Sequence, residues 1–284
     1  MKIQHFFDPD TFTLTYVVWD EKTKDAVIID PVLDYNPNSG KFSHKTADMH
    51  LDFIMKNDLK VHLILETHAH ADHLSSSVYL KEKLPGSKVA IGANIKLVQE
   101  VFKGVFNMKS LKVDGSQFDL LLEDNQEVTA GSLKFKVLYT PGHTPACVSY
   151  LFGDCVFTGD ALFMPDYGTG RCDFPKGSAE DLYDSVTKRL YTLPDSTKVY
   201  VGHDYMPNGR EMKFQTTIAE SKKSNIRLPA NLSREDFVKF RKERDATLEA
   251  PRLLLPSIQV NIDAGHLPEA EENGMRYLKL PIRE

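Results

Sequence analysis

The stretch that most constrains this chain is Thr67-His68-Ala69-His70-Ala71-Asp72-His73. Three histidines and an aspartate fall within six residues, directly after the apolar run Val61-His62-Leu63-Ile64-Leu65. That run has the length and composition of a buried strand. The side chains after it can therefore project into a cleft at the strand's C-terminal end, where α/β folds place their sites. Neutral imidazoles and a carboxylate are ligands for zinc, iron or manganese. Histidines on a merely solvated loop would have no reason to be this dense.

The rest of the chain is compatible with one large domain or one with an appendage: 284 residues, 41% hydrophobic and 26% charged. A net charge of −5, with Lys239-Phe240-Arg241-Lys242-Glu243-Arg244 as its longest basic cluster, argues against a nucleic-acid partner. No apolar run approaches the ~18 residues of a membrane helix, and Met1–Phe6 shows no secretory h-region. Cys147, Cys155 and Cys172 are odd in number and lack C-x-x-C spacing, which suits reduced thiols in a cytoplasm.

Strand and helix alternate along the first half. Strands are expected over Thr11–Trp19, Ala26–Ile29 (ending in Asp30-Pro31), Val61–Leu65 and Lys88–Ile91. Turns are expected over Asp34–Gly40, and helices over Ala47–Asn57, from about Asp72 to Leu84, and near Ile95–Phe102. In the second half, Gly131-Ser132 and Gly153-Asp154 join hairpins. Ser178, with Asp181 at the third helical position, opens a helix to about Leu190. Further helices are expected over Glu211–Lys222 and after Ser233, with an irregular tail from Ala250. The boundaries expected are a core over residues 1–225 and a helical or irregular extension over 226–284 packed on it.

The device of a strand ending in a small residue and then a metal-competent side chain recurs. Gly142-His143 follows the strand ending at Leu138, Gly159-Asp160 the one through Phe157, and Gly202-His203 the one over Val199–Val201. Glycine permits close backbone approach at such ends. Two chemistries fit these residues equally. In one, His68, His70 and His143 hold one metal, Asp72, His73 and His203 a second, and Asp160 bridges them. A dinuclear zinc site of that kind activates a hydroxide against a thioester or lactone. In the other, His68, His143 and Asp160 form a 2-His-1-carboxylate triad for one Fe(II), with open positions for substrate and O2.

Taken together, Thr67-His68-Ala69-His70-Ala71-Asp72-His73, Gly142-His143, Gly159-Asp160 and Gly202-His203 resemble the metallo-β-lactamase superfamily. The resemblance spans about residues 1–225 and implies an α/β fold, the αββα sandwich with its metal cleft along one edge. The stretches His68–Ser76, Thr158–Phe163, Gly170-Arg171-Cys172-Asp173-Phe174 and Gly202-His203-Asp204-Tyr205 are more closely similar to the persulfide dioxygenase family, the ethylmalonic encephalopathy protein-like proteins. The tail Pro251-Arg252-Leu253-Leu254-Leu255-Pro256-Ser257-Ile258-Gln259-Val260-Asn261 resembles a bacterial branch of β-lactamase-like hydrolases with a longer C-terminus.

The family likeness, not the ligand types, favours the dioxygenase over a hydrolase of glyoxalase II type. It implies oxidation of glutathione persulfide, or a related low-molecular-weight persulfide, to sulfite and thiol, with one Fe(II) per chain. His70, Asp72, His73 and His203 would then surround the triad, Arg171 would take the glutathione carboxylate, and Tyr205 would line the cleft. Cys172 stands where animal members carry threonine, and its neighbour Arg171 is expected to lower its pKa. The partners expected are that small molecule and O2, with no nucleic acid and no membrane; a homodimer is compatible with the sequence.

Overall fold

A computed structural model describes residues 1–282. Its first half runs β1 (Lys2–Asp8), β2 (Thr13–Trp19), β3 (Asp25–Ile29), β4 (Val32–Asn36), β5 (Lys41–Ser43), α1 (Lys45–Lys56), β6 (Lys60–Glu66), β7 (Leu74–Ser75), α2 (Ser77–Lys83), β8 (Lys88–Gly92), α3 (Ile95–Val105) and β9 (Leu120–Leu122). The second half runs β10 (Glu127–Ala130), β11 (Leu133–Tyr139), β12 (Val148–Phe152), β13 (Cys155–Phe157), α4 (Ala179–Ser185), β14 (Lys198–Tyr200), β15 (Gln215–Thr217), α5 (Ile218–Ser224), α6 (Arg234–Asp245) and α7 (Leu254–Asn261). A π-helical turn, Val186–Leu190, prolongs α4.

Two six-stranded mixed sheets, β1-β2-β3-β6-β8-β9 and β10-β11-β12-β13-β14-β15, form the centre. Alternation along β3 shows how they stack. Val27 and Ile29 face the second sheet beside Tyr16, Leu65, Tyr150 and Phe157. Ala26 and Ile28 face outward beside Leu51 and Ile54 of α1, Val98 and Phe102 of α3, and Ile258 of α7. A strand buried on both faces reads as a continuous apolar run, and β3 pairs in parallel with β6, as β6 does with β8. Leu182, Val186 and Phe237 belong to the core of the second sheet. The result is the expected αββα sandwich.

Local chemistry fixes the ends of several elements. Ser178 Oγ accepts from the Asp181 N–H at 3.0 Å to cap α4, and Ser233 Oγ accepts from Asp236 N–H at 3.1 Å to cap α6. Four expectations need correction. The helix placed from Asp72 begins only at Ser77, because Leu74 and Ser75 pair with Leu33 and Val32, and the Ser77 hydroxyl donates to buried Glu66. The helix over Glu211–Lys222 is instead β15 followed by α5, since β-branched Thr216 and Thr217 pair with Val199 and Lys198. The turns expected over Asp34–Gly40 hold for 37–40 but not for Asp34, Tyr35 and Asn36, which belong to β4 and pair with β5. The irregular tail contains α7, whose Ser257–Asn261 are buried. Among the described residues no helix is long and apolar enough to cross a membrane.

Candidate metal centre

The strand ends deliver their histidines and aspartates to one place. β6 ends at Glu66, and the loop after it carries His68, His70, Asp72 and His73; β11, β13 and β14 lead to His143, Asp160 and His203. Gly159 lets Asp160 approach: at φ +47° it holds a left-handed conformation, and a Cβ there would meet Thr67 Oγ1 at 2.6 Å.

All seven expected ligands converge. Donor atoms of His68, His143 and Asp160 lie within 4.8 Å of one another, as do those of His70, Asp72, His73 and His203. Asp160 stands between the sets, with Oδ2 3.5 Å from His143 Nε2 and Oδ1 3.3 Å from His203 Nε2. His203 Nε2 is also 3.4 Å from Asp72 Oδ2.

Hydrogen bonds behind the ligands set their tautomers. The Thr67 hydroxyl donates to Asp30 Oδ2 at 2.8 Å, so at 3.0 Å it can accept only from His68 Nδ1–H, which leaves Nε2 with its lone pair. His143 Nδ1 donates to the Arg171 carbonyl at 2.7 Å, with the same consequence. Burial pushes the His68 pKa well below its usual value, and the neighbouring His70 and His143 push it further. It is thus the neutral imidazole a cation needs.

His70 has a different environment. Its Nε2 lies 3.0 Å from Asp30 Oδ1 and 3.3 Å from Glu66 Oε2, all three residues buried. Burial alone would lower its pKa, but the Asp30 charge and hydrogen bond, with Glu66 behind them, raise it well above the ordinary value. Burial works against the ionised Asp72 carboxyl too, yet His203 and His73 hold its pKa well below the usual range.

The donor set fits a cation on a structural test. His68 Nε2, His70 Nδ1, His73 Nε2 and Asp160 Oδ1 are buried polar atoms with no hydrogen-bond partner. Buried polar atoms are almost always satisfied, so four orphans within the two donor sets imply a ligand there.

A cavity of about 650 Å³ opens from this centre, lined near the metal positions by Asp72, His143, Asp160, Phe163 and Tyr205. Tyr205 stands as expected, stacked on Tyr167 at 4.7 Å. Arg171 also lines the cavity, but its guanidinium is committed: Nε donates to Asp173 Oδ1 at 2.5 Å and Nη1 to the Glu249 carbonyl at 2.7 Å. Cys172 does not line it. The thiol is buried, and that burial pushes its pKa up, overriding the lowering pull of Arg241. The expected activation by Arg171 is therefore corrected: Cys172 is a packed thiol whose N–H donates to Asp245 at 2.8 Å.

Sequence reasoning missed Asp30, Glu66 and Asn261. Asp30 carried a signal, since Asp30-Pro31 ends a strand as the ligands do. Asn261, on α7, had none: its Nδ2 donates to the carbonyls of His70 and His73 at 2.8 and 2.7 Å, and its Oδ1 accepts from Ser75 N–H at 2.8 Å.

Residues 8–203 match the family described as the metallo-beta-lactamase superfamily. The chain belongs to that superfamily. Its relatives divide by name. Glyoxylase B2 of Dictyostelium discoideum is 51% identical over 99% of this chain and 97% of its own length. The human mitochondrial persulfide dioxygenase ETHE1 is 34% identical over 84% of this chain and 79% of its own. The crystal structure of ETHE1 from Myxococcus xanthus superposes with a TM-score of 0.75 at 38% identity, covering 94% of this chain and all of that one. This superfamily enzyme therefore has metal-binding residue groups, and its relatives carry the names of different enzymes.

Proposed function

We propose that the protein is a persulfide dioxygenase that converts glutathione persulfide, O2 and water to glutathione and sulfite, using one Fe(II) held by His68, His143 and Asp160. The observation that carries this reading is the donor set His68, His143 and Asp160. The Nε2 of His70 is held by the buried carboxylates of Asp30 and Glu66, so only its Nδ1 faces the other donor set, with Asp72, His73 and His203. The three-donor set has two imidazoles and one carboxylate, the ligand type of non-haem iron oxygenases. The similarity to proteins named persulfide dioxygenase supports the same choice.

Ferrous iron held there by His68, His143 and Asp160 would supply coordination for a sulfur and for O2, while the electrons that reduce O2 come from the sulfane sulfur as it becomes sulfite. The chain does the rest. Asp72, His73 and His203 form the polar side of the site, where they orient the water that is consumed and accept its protons. Phe163 and Tyr205 give the cavity an aromatic side that limits further water. Thr67 and the Arg171 carbonyl keep His68 and His143 in the ligating tautomer.

A specific observation keeps a second reading: Asp160 reaches toward both donor sets, as a bridging carboxylate in a dinuclear thioester hydrolase does, and a relative is named glyoxylase. Metal analysis and two assays on one preparation separate them. The dioxygenase reading expects about one iron per chain, one O2 consumed per glutathione persulfide, and negligible hydrolysis of S-lactoylglutathione. Two zinc per chain with rapid thioester hydrolysis and no oxygen uptake overturns it.

A further inference from the structure

The cavity has a second wall that no metal chemistry explains. It is built by residues after 225: Arg227, Phe240 and Arg241, then Arg244, Leu248 and Arg252. Two contacts dock this wall on the loop that follows the metal ligand Asp160. Asp245 accepts from the Cys172 N–H at 2.8 Å while paired with buried Arg241, and the Glu249 carbonyl accepts from Arg171.

The charges sort themselves clearly. Of the arginines on the cavity, Arg171 is paired with Asp173 and Arg241 with Asp245; among the carboxylates, Asp166 is paired with Arg210, and Asp72 and Asp160 belong to the metal centre. Arg227, Arg244 and Arg252 have no carboxylate partner among the described residues, and Asp10 is the remaining acid on the lining. Three guanidiniums against one carboxylate make a positive rim on a chain whose net charge is −5. Arg227 is held in place over the Phe240 ring at 4.6 Å. Tyr167 lines the same cavity. Burial raises its phenol's pKa, with the Arg244, Arg241 and Arg171 charges opposing that rise and Asp160 reinforcing it.

We infer that Arg227, Arg244 and Arg252 form a carboxylate-binding subsite that selects acidic thiols of tripeptide size. The inference rests on the glutathione-derived substrate proposed above and assigns its recognition to the C-terminal segment rather than to Arg171. A 650 Å³ cavity is of the size that takes such a ligand. Guanidinium pairs with carboxylate through two parallel N–H donors, which gives orientation as well as attraction. With its carboxylates on the rim, the ligand's sulfur extends past Tyr167 and Tyr205 toward Asp160.

The test is equilibrium binding of S-methylglutathione, which carries no sulfane sulfur and does not react, to the metal-loaded full chain by calorimetry. Its diethyl ester, with both carboxylates masked, is the control. Wild-type protein should prefer the free acid. R227A, R244A and R252A should each weaken the acid by roughly two- to fivefold, the range of exposed ion pairs, with little effect on the ester. The double variant R244K/R252K, which keeps both charges but loses the paired N–H donors, should retain only part of the preference. Equal binding of acid and ester by the wild type, or an unaltered preference in the triple alanine variant with its fold intact by circular dichroism, overturns the inference. Oxygen uptake is read separately: a strong preference for the acid without oxygen uptake supports the subsite while overturning the dioxygenase reading.

Discussion

Asp160 and His70 are both buried, both lie among the metal-competent groups, and have opposite expected roles. Asp160 is the only carboxylate of the three-donor set, and its charge holds a divalent cation that neutral imidazoles alone bind weakly. Asp160→Ala should therefore bind no iron at concentrations that saturate the wild type. His70 is better replaced by glutamine, because alanine would leave Asp30 and Glu66 unpaired in the interior. His70→Gln should still take up iron, with affinity lowered by roughly 10–100-fold, as when a partner beyond the ligands is lost. Elemental analysis after dialysis against limiting iron checks both, and equal, complete loss would refute the mononuclear site. Cys172 makes a simpler case. A buried thiol with a raised pKa is a poor nucleophile. It should remain unmodified when the native protein is exposed to glutathione persulfide, as judged by peptide mass spectrometry, and Cys172→Ser should keep wild-type iron content.

α1 carries a titratable group whose effect is on stability. His50 is fully buried beside Phe6, both ring nitrogens lack partners, and burial lowers its pKa to about 4. Since the unfolded value is about 6.5, the unfolded chain binds this proton more readily, so stability is full above pH ~6.5 and is lost as pH falls toward about 4. The loss amounts to roughly 3 kcal/mol. His50→Leu should flatten that limb in a series of melts between pH 7 and 4; a limb unchanged in the variant would show that other groups cause it. The helix also illustrates how legible the elements were. Periodicity found α1, α3 and α4, and apolar runs found β2, β3, β6 and β8, because each buries a regular face. It failed where a tertiary contact overrides local pattern. Leu74 and Ser75 continue no helix because β4 is available to pair with them, and Thr216 and Thr217 form an edge strand against β14. The ligands were legible because each follows a strand end. The groups behind them were not, because a backbone carbonyl or a side chain from another element leaves no spacing in the sequence.

At the scale of the whole molecule, the question is whether residues 226–284 are an appendage or part of the site. We propose the boundary near residue 225 as the edge of the superfamily core, with the later segment functionally joined to it. Ile258 and Ile262 of the α7 region pack into the outer core of the first sheet, which brings Asn261 beneath the metal loop. There its amide makes three buried hydrogen bonds to the backbone of residues 70–75. Asn261→Leu preserves the volume of the side chain but leaves two carbonyls and one N–H without partners. Each buried unsatisfied group costs about 1–3 kcal/mol, part of which relaxation or entering water recovers. The variant should melt several degrees lower. Because the strain falls on the loop carrying His68 and His73, it should also surrender its metal to a chelator faster than the wild type does. Asn261→Asp is the informative companion: it keeps the acceptor for Ser75 but loses both donors, and should show most of the same metal loss. If both variants melt lower yet hold metal as the wild type does, Asn261 supports only the fold; if they release metal early, the C-terminal segment is part of the metal centre.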